Sequence, residues 1–199
     1  MQTVSDGFTI NYSDDDGIRF LNDIFKNGEY DSVLESQNNT ILDIGAHIGL
    51  FSMRAYPFAK QIYAIEPDPT NFALLKQNID ANNLENVIPY NCALSNTEGK
   101  FTLRTPSSSG GWELHRDEGP VQTHTLSVFV TKFVAPDTID IIKCDTEGSE
   151  GNIFGGPGAS EILKTVKAVI MEHGQGLGRM FMDLGFKVEN KDRITICKR

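Results

Sequence analysis

Residues 41–51 read ILDIGAHIGLF. The apolar Ile41, Leu42 and Ile44 surround one acid, Asp43, and then Gly45 and Gly49 bracket a three-residue step before Leu50 and Phe51 restore the apolar pattern. A nearly continuous apolar run suits a strand covered on both faces, and glycine accepts the backbone angles of a tight turn at its end. The stretch therefore predicts a buried strand that turns directly into a helix, running from Gly49 to about Ala59 and stopped around Pro57.

Outward from this point the pattern repeats. QIYAIEP (61–67) reads as a second strand, and Asp68 with Pro69 as a helix start that carries Phe72, Leu75 and Ile79 on one face. NVIPYNCAL (86–94) contains a third strand, with Pro89 blurring its limits. TIDIIKCD (138–145) and VKAVIMEH (166–173) read as buried parallel strands. Between them lie a short helix from about Ser149, the loop GGPGAS and a helical turn before Lys164. Leu177, Phe181 and Leu184 mark a last helix closing at Gly185, and FKVENKDRITICKR (186–199) a terminal β-hairpin. Upstream, Asp14 to Asp16 precede Ile18, Leu21, Ile24 and Phe25 at helical spacing, giving an N-terminal helical segment within 1–30. Residues 100–128 have β-like ends around a Gly/Ser-rich centre at Gly110 and Gly111, the pattern of an inserted hairpin placed to cover an acceptor site. The expectation is an α/β fold in a single domain over 1–199: a mostly parallel sheet with helices on both faces.

With 199 residues, 39% hydrophobic and 23% charged, the chain has globular composition. A net charge of −9 disfavours nucleic acid and anionic membranes as partners. Cys92, Cys144 and Cys197 are scattered and odd in number, which suits a reducing compartment. The acidic N-terminal stretch lacks the basic start and apolar run of a signal peptide, and no apolar segment reaches membrane-spanning length. A cytoplasmic protein is expected.

In parallel sheets, ligands sit beyond the carboxyl ends of the strands. At the first such end Asp43, Gly45 and Gly49 form DxGxxxG, with Ala46 between them and His47 at the central glycine position of a dinucleotide fingerprint. An acid there is awkward for a pyrophosphate and welcome beside a cation such as S-adenosylmethionine; a packing turn capped by Asp43 explains the same residues. Glu66 and Pro67 end the second strand, and Glu66 lies 21 residues after Gly45, where a carboxylate can take both ribose hydroxyls. Asn91, Cys92 and Ala93 follow the third strand, where an adenine pocket would lie. The fourth strand end gathers Lys143, Asp145, Glu147 and Glu150, and the fifth Glu172 and His173, a group suited to proton transfer. A metal could be drawn among Asp145, Glu147, Glu172 and His173, but no compact ligand motif supports one, and none is expected. His115, His124 and Trp112 belong to the insertion, where surface positions are the default. Three functions stay open on these residues: a methyltransferase, a nicotinamide-dependent oxidoreductase, and a non-catalytic nucleoside-binding module.

These segments resemble the FkbM family of S-adenosylmethionine-dependent methyltransferases. The likeness is carried by ILDIGAHIGLFSMRAY, IYAIEPDPTNFALLKQNI, NVIPYNCALSNTEGKFTL, HTLSVFV, IDIIKCDTEGSEGNIF and VIMEH, with EYDSV ahead of them. His47 departs from the asparagine common in that family, and GNIFGGPGASEIL is richer in glycine than the usual helix. The resemblance implies a Rossmann-like methyltransferase fold and O-methylation of a hydroxyl on a sugar or polyketide-like small molecule. It further implies cofactor contacts from Asp43, Gly45, Ala46, His47, Gly49, Glu66, Pro67, Asn91, Cys92, Ala93 and Asp145. Asp145, Glu147, Lys143 and His173 would then face the acceptor.

Overall fold

The computed structural model describes residues 1–13, 20–104, 113–116, 119–172 and 174–199. The chain opens with an antiparallel hairpin, β1 (Gln2–Ser5) and β2 (Phe8–Asn11), turned by Asp6 and Gly7 at φ 47° and 84°. This corrects the expected helical segment over 1–30, of which the described residues keep one helical turn at Asn22–Lys26; Asp14 to Asp16 and Ile18 lie outside the described residues. Two consecutive positive φ angles make the two-residue hairpin turn that Asp-Gly favours, so its signal stood in the sequence.

There follow β3 (Asn39–Ile44), α1 (Leu50–Ala55), β4 (Ala59–Ile65), α2 (Pro69–Ala81) and β5 (Val87–Tyr90). Asp68 caps α2 as expected, accepting the Thr70 and Asn71 backbone N–H groups at 2.9 Å each. Next come β6 (Ala93–Leu94), β7 (Gly99–Arg104), β8 (Glu113–Arg116) and β9 (Val121–His124), a separate sheet in the order β6-β9-β7-β8. The inserted hairpin is its antiparallel β7–β8 pair; Gly110, Gly111 and Trp112 at its centre fall outside the described residues. The chain closes with α3 (Leu126–Phe129), β10 (Ile141–Cys144), α4 (Glu150–Phe154), α5 (Ala159–Leu163), β11 (Ala168–Glu172), α6 (Gly178–Asp183), β12 (Lys187–Lys191) and β13 (Ile194–Lys198). Among the described residues no helix is long and apolar enough to cross a membrane.

The main sheet has seven strands in the order β12-β13-β11-β10-β3-β4-β5. β13 runs antiparallel to both of its neighbours, while β11, β10, β3, β4 and β5 are parallel throughout. β5 is an edge strand, which is why Pro89 is tolerated in it. Alternate residues feed two cores: Ile41, Ile62 and Ile141 pack with Phe51, Met53 and Leu75 of α1 and α2. Leu42, Ile65 and Ile142 pack on the opposite face with Phe129, Ile153 and Leu163 of the helices there. The fold is Rossmann-like, an α/β sheet covered on both faces.

The N-terminal hairpin is docked by Asn78 of α2 and by Asn82 at its C-terminal cap. Asn82 and the backbone of Thr9 exchange hydrogen bonds in both directions at 2.7 Å. Asn78 accepts the Asn11 N–H at 2.6 Å and donates to the Asn11 carbonyl at 3.1 Å and the Ile48 carbonyl at 2.8 Å. Four residues of helix rise about 6 Å and two of strand about 6.8 Å, so side chains at i and i+4 can serve as the missing strand for β2.

Candidate functional site

The ends of β3, β4 and β10, together with residues 20–30, surround one hollow of about 430 Å³. Its floor is the turn after β3. The Gly45 and Ala46 N–H groups both donate to the Ile65 carbonyl at 3.0 and 2.9 Å, and Asp145 N–H donates to the Ile44 carbonyl at 3.0 Å, tying three strand ends together. Gly45 has φ 75°, and a Cβ on it would lie 1.9 Å from the Asp145 carbonyl oxygen, so glycine is demanded by backbone rather than by ligand. Gly49, at φ 93°, leaves room for Leu75 of α2 and does not line the hollow.

Glu66 forms one wall and is 6% exposed. Its Oε2 accepts the His47 N–H and its Oε1 the Asp68 N–H, both at 2.8 Å. Burial pushes its pKa up to about 7 against the pull of those two bonds. Each oxygen keeps a second lone pair for a donor in the hollow. His47, at φ 54°, and Pro67 lie beside it, and Ala93 and Leu94 add an apolar shelf.

The opposite wall is an ionic cluster. Lys143 and Asp43 are register partners on β10 and β3. Lys143 Nζ donates to the Gly45 carbonyl at 2.7 Å and lies 3.3 Å from Asp43 Oδ1 and 3.8 Å from Asp145 Oδ2. Burial would favour its neutral form, but Asp43 and Asp145 outweigh this and raise its pKa, so it stays charged. Tyr30 donates to Asp145 Oδ2 at 3.4 Å, and the rings of Tyr30 and Phe51 each stand 5.9 Å from Nζ. Carboxylate oxygens of Asp145, Glu147 and Glu172 all lie within 4.8 Å of one another, an arrangement whose repulsion a proton or a cation would relieve. Burial and then its hydrogen bond to Asp145 push the pKa of Glu172 up to about 8. Asp145 moves the other way; burial opposes the drop, but Lys143 and the hydrogen bond from Glu172 hold it below the usual carboxylate value.

Several expectations need correction. Asp43 is fully buried beneath the hollow, because its carboxylate is occupied by Ser52 Oγ at 2.7 Å and by Lys143. Asn91 and Cys92 also fail to line it. Asn91 is turned back to donate to the Glu66 and Pro67 carbonyls at 2.8 and 3.2 Å, and Cys92 is packed into the core, where burial raises its thiol to about 12. Glu150 is buried and accepts both Thr146 N–H and Oγ1, closing the loop. His124 is buried as well, with Nδ1 2.9 Å from Glu98 Oε2 and Phe133 at 5.6 Å. His173, Trp112 and the His115 side chain lie outside the described part of the structure. Gly45, Ala46, His47, Glu66, Pro67, Ala93, Lys143, Asp145 and Glu147 do meet around the hollow. The residue-by-residue reading missed Glu29, Tyr30, Phe51 and Arg193; EYDSV, carried by the resemblance, was the available signal for the first two.

A model of the Methyltransferase FkbM domain matches residues 43–188, well over half of the chain. The chain belongs to the FkbM methyltransferase family. Methyltransferase 1 of Beauveria bassiana is 24% identical over 161 residues, 67% of this chain and 64% of that relative, so the FkbM chain spans less than two thirds of its length. The solved FkbM methyltransferase of Methylobacillus flagellatus KT superposes with a TM-score of 0.54 at 15% identity, covering 94% of this chain and 56% of that one. A Streptococcus mutans protein solved in complex with SAH gives 0.51 at 10% identity, covering 87% and 97% of the two chains. At these identities the two structures speak for the fold.

Proposed function

We propose that this FkbM protein binds S-adenosylmethionine over the β3 turn and transfers its methyl group to a hydroxyl of a small molecule, a sugar or polyketide-like compound. The observation that carries the reading is Glu66, a buried carboxylate held by two backbone N–H groups in the same hollow as the glycine turn and Asp145. The hollow of about 430 Å³ falls among small-ligand pockets, typically about 300–1,000 Å³. The SAH bound by the Streptococcus mutans fold-mate lends support to a nucleoside ligand.

In this reading Glu66 accepts the ribose hydroxyls, and Ile65, Ala93 and Leu94 seat the adenine. The turn Gly45 to His47 lies under the methionyl portion; Asp43 acts from below by fixing Lys143, which in turn holds the Gly45 carbonyl. When bound, S-adenosylmethionine supplies an already activated methyl on its sulfonium. The chain's own work is then to hold the acceptor oxygen in line and to take its proton, the latter worth about 10² to 10⁴ in rate. Asp145 faces the hollow and shares a proton with Glu172, so the two titrate as one base whose upper step lies at about 8. Glu29, Glu66, Asp145 and Glu147 around the hollow, with the net charge of −9, argue against a phosphate-bearing or nucleic-acid acceptor.

Isothermal calorimetry is expected to show one S-adenosylmethionine bound per chain; binding of NAD instead would restore the oxidoreductase reading. A panel of hydroxylated sugars and natural products, followed by S-adenosylhomocysteine release with and without a chelator, then identifies the acceptor. Cofactor binding with no transfer to any hydroxyl compound would favour a nucleoside-binding module.

A further inference from the structure

We propose that a second hollow, beside the first, is the acceptor's own subsite, and that it selects a neutral glycosyl ring over an apolar polyketide body. The inference rests on the methyltransferase reading and chooses within it. This hollow measures about 540 Å³ and lies between residues 23–32 and the terminal hairpin, on the face of β13 that packs with α1. Glu29 lines both hollows. A methyltransferase must seat two molecules at once, whereas the first hollow, at about 430 Å³, stands at the lower end of the range of about 300–1,000 Å³ for one small ligand. Once a nucleoside cofactor fills it, the body of the acceptor needs the space next door.

The second hollow has an apolar floor and a polar rim. Ile194 and Ile196, two residues apart on β13 and each 4% exposed, form the floor. On the rim Asn27 Nδ2 donates to Asp23 Oδ1 at 3.1 Å, and Arg193 Nη2 stands 2.9 Å from Glu29 Oε1 and 3.5 Å from Asp23 Oδ2. Arg193 Nε also reaches Glu172 Oε1 at 3.1 Å, so the rim continues to the acids at the ends of β10 and β11. Amide, carboxylates and guanidinium hold one another in place and set donors and acceptors side by side. Ser32 lines the hollow too, and its buried Oγ finds no hydrogen-bond partner among the described residues. A sugar ring matches this surface: its C–H face lies on the isoleucines, and each of its hydroxyls both donates and accepts. A polyketide chain would strip water from the same polar groups and leave them unpaired. The lining sets Asp23, Glu29 and Asp192 against Lys191 and Arg193, three acids to two cations, which favours a neutral ring over a phosphorylated or acidic one.

The test follows the δ1-methyl NMR signals of labelled isoleucines in the full chain. S-adenosylhomocysteine is expected to shift Ile44 and Ile65, which line the first hollow. Methyl glycosides of neutral hexoses and 6-deoxyhexoses, added to the S-adenosylhomocysteine-loaded protein, are expected to shift Ile194 and Ile196. Asn27 is exposed, so Asn27→Trp can crowd the rim without disturbing the core. It should raise the Kd of the glycoside about tenfold while the S-adenosylhomocysteine Kd stays within about threefold. The Ile65 shift on adding S-adenosylhomocysteine verifies that the variant is folded. No movement of Ile194 and Ile196 with any glycoside, or glycoside binding unaltered in Asn27→Trp, overturns the subsite. Movement of both with a macrocyclic polyketide and with no glycoside overturns the sugar class. Ile44 and Ile65 unmoved by S-adenosylhomocysteine would instead remove the reading beneath the proposal.

Discussion

Glu66 illustrates how one side chain can be committed twice. Both of its oxygens accept backbone N–H groups, from His47 and Asp68, so the carboxylate shapes the walls of the hollow before any ligand enters. An amide cannot do this, because its NH₂ group would confront one of the two donors. Glu66→Gln is therefore expected to cost about 1–3 kcal/mol of stability and to weaken S-adenosylmethionine binding, checked by urea denaturation and calorimetry. Equal stability and affinity in the variant would show that neither the walls of the hollow nor a ligand depends on the carboxylate. Gly45 is held as tightly by geometry. A methyl group there meets the Asp145 carbonyl at a backbone angle few L-residues adopt, so Gly45→Ala should destabilise by at least about 3 kcal/mol. Asp43 shows where residue reading runs out. An acid inside an apolar run can point to a ligand or to a buried cation, and only its register opposite Lys143 decides for the second.

The helix α2 and strand β2 are joined by amide side chains in addition to the apolar cluster that holds Ile10 and Leu75. Asn78 is fully buried and joins the hairpin to the Ile48 carbonyl, one residue before the α1 glycine. Asn78→Ala would leave the Asn11 N–H and two carbonyls without their partner, at a cost of about 2–3 kcal/mol. Amide hydrogen exchange should then accelerate at Thr9 and Asn11 while β3 and β4 stay protected; uniform acceleration would show that the hairpin is integral to the sheet. The elements with strong local signals were legible in advance: β3 from ILDI and its glycines, and α2 from Asp68 and Pro69. The N-terminal hairpin was passed over although Asp6-Gly7 marks it, because the apolar residues after it carried a stronger helical period. The insertion of β13 between β11 and β12 had only a compositional signal, the apolar ITIC of β13 against the charged KVENK of β12, since a hairpin fixes the pairing of its own strands and not which of them meets the sheet. The same non-local placement hid Arg193 and its three acids.

Among the described residues, the carboxyls of Glu66 and Glu172 hold protons more firmly folded than unfolded. Glu66 and Glu172 rise from 4.5 to about 7 and about 8, so stability present at pH 4.5 is lost as pH climbs through those values. The melting temperature is expected to fall between pH 5 and about 8.5, and Glu172→Gln, which keeps a donor facing Asp145, should flatten the upper part of that fall in scanning calorimetry. A flat profile in the unmodified protein would mean that neither proton is retained. The arrangement of the sheet also orders events during synthesis. β3, β4, β5, β10 and β11 all leave the ribosome before β13, and until it arrives the β11 edge is bare and Glu172 has no guanidinium beside it. The nascent chain can thus lay down the five parallel strands and the hollow at their ends before β13 covers the β11 edge, so the terminal hairpin is the piece that closes the sheet last.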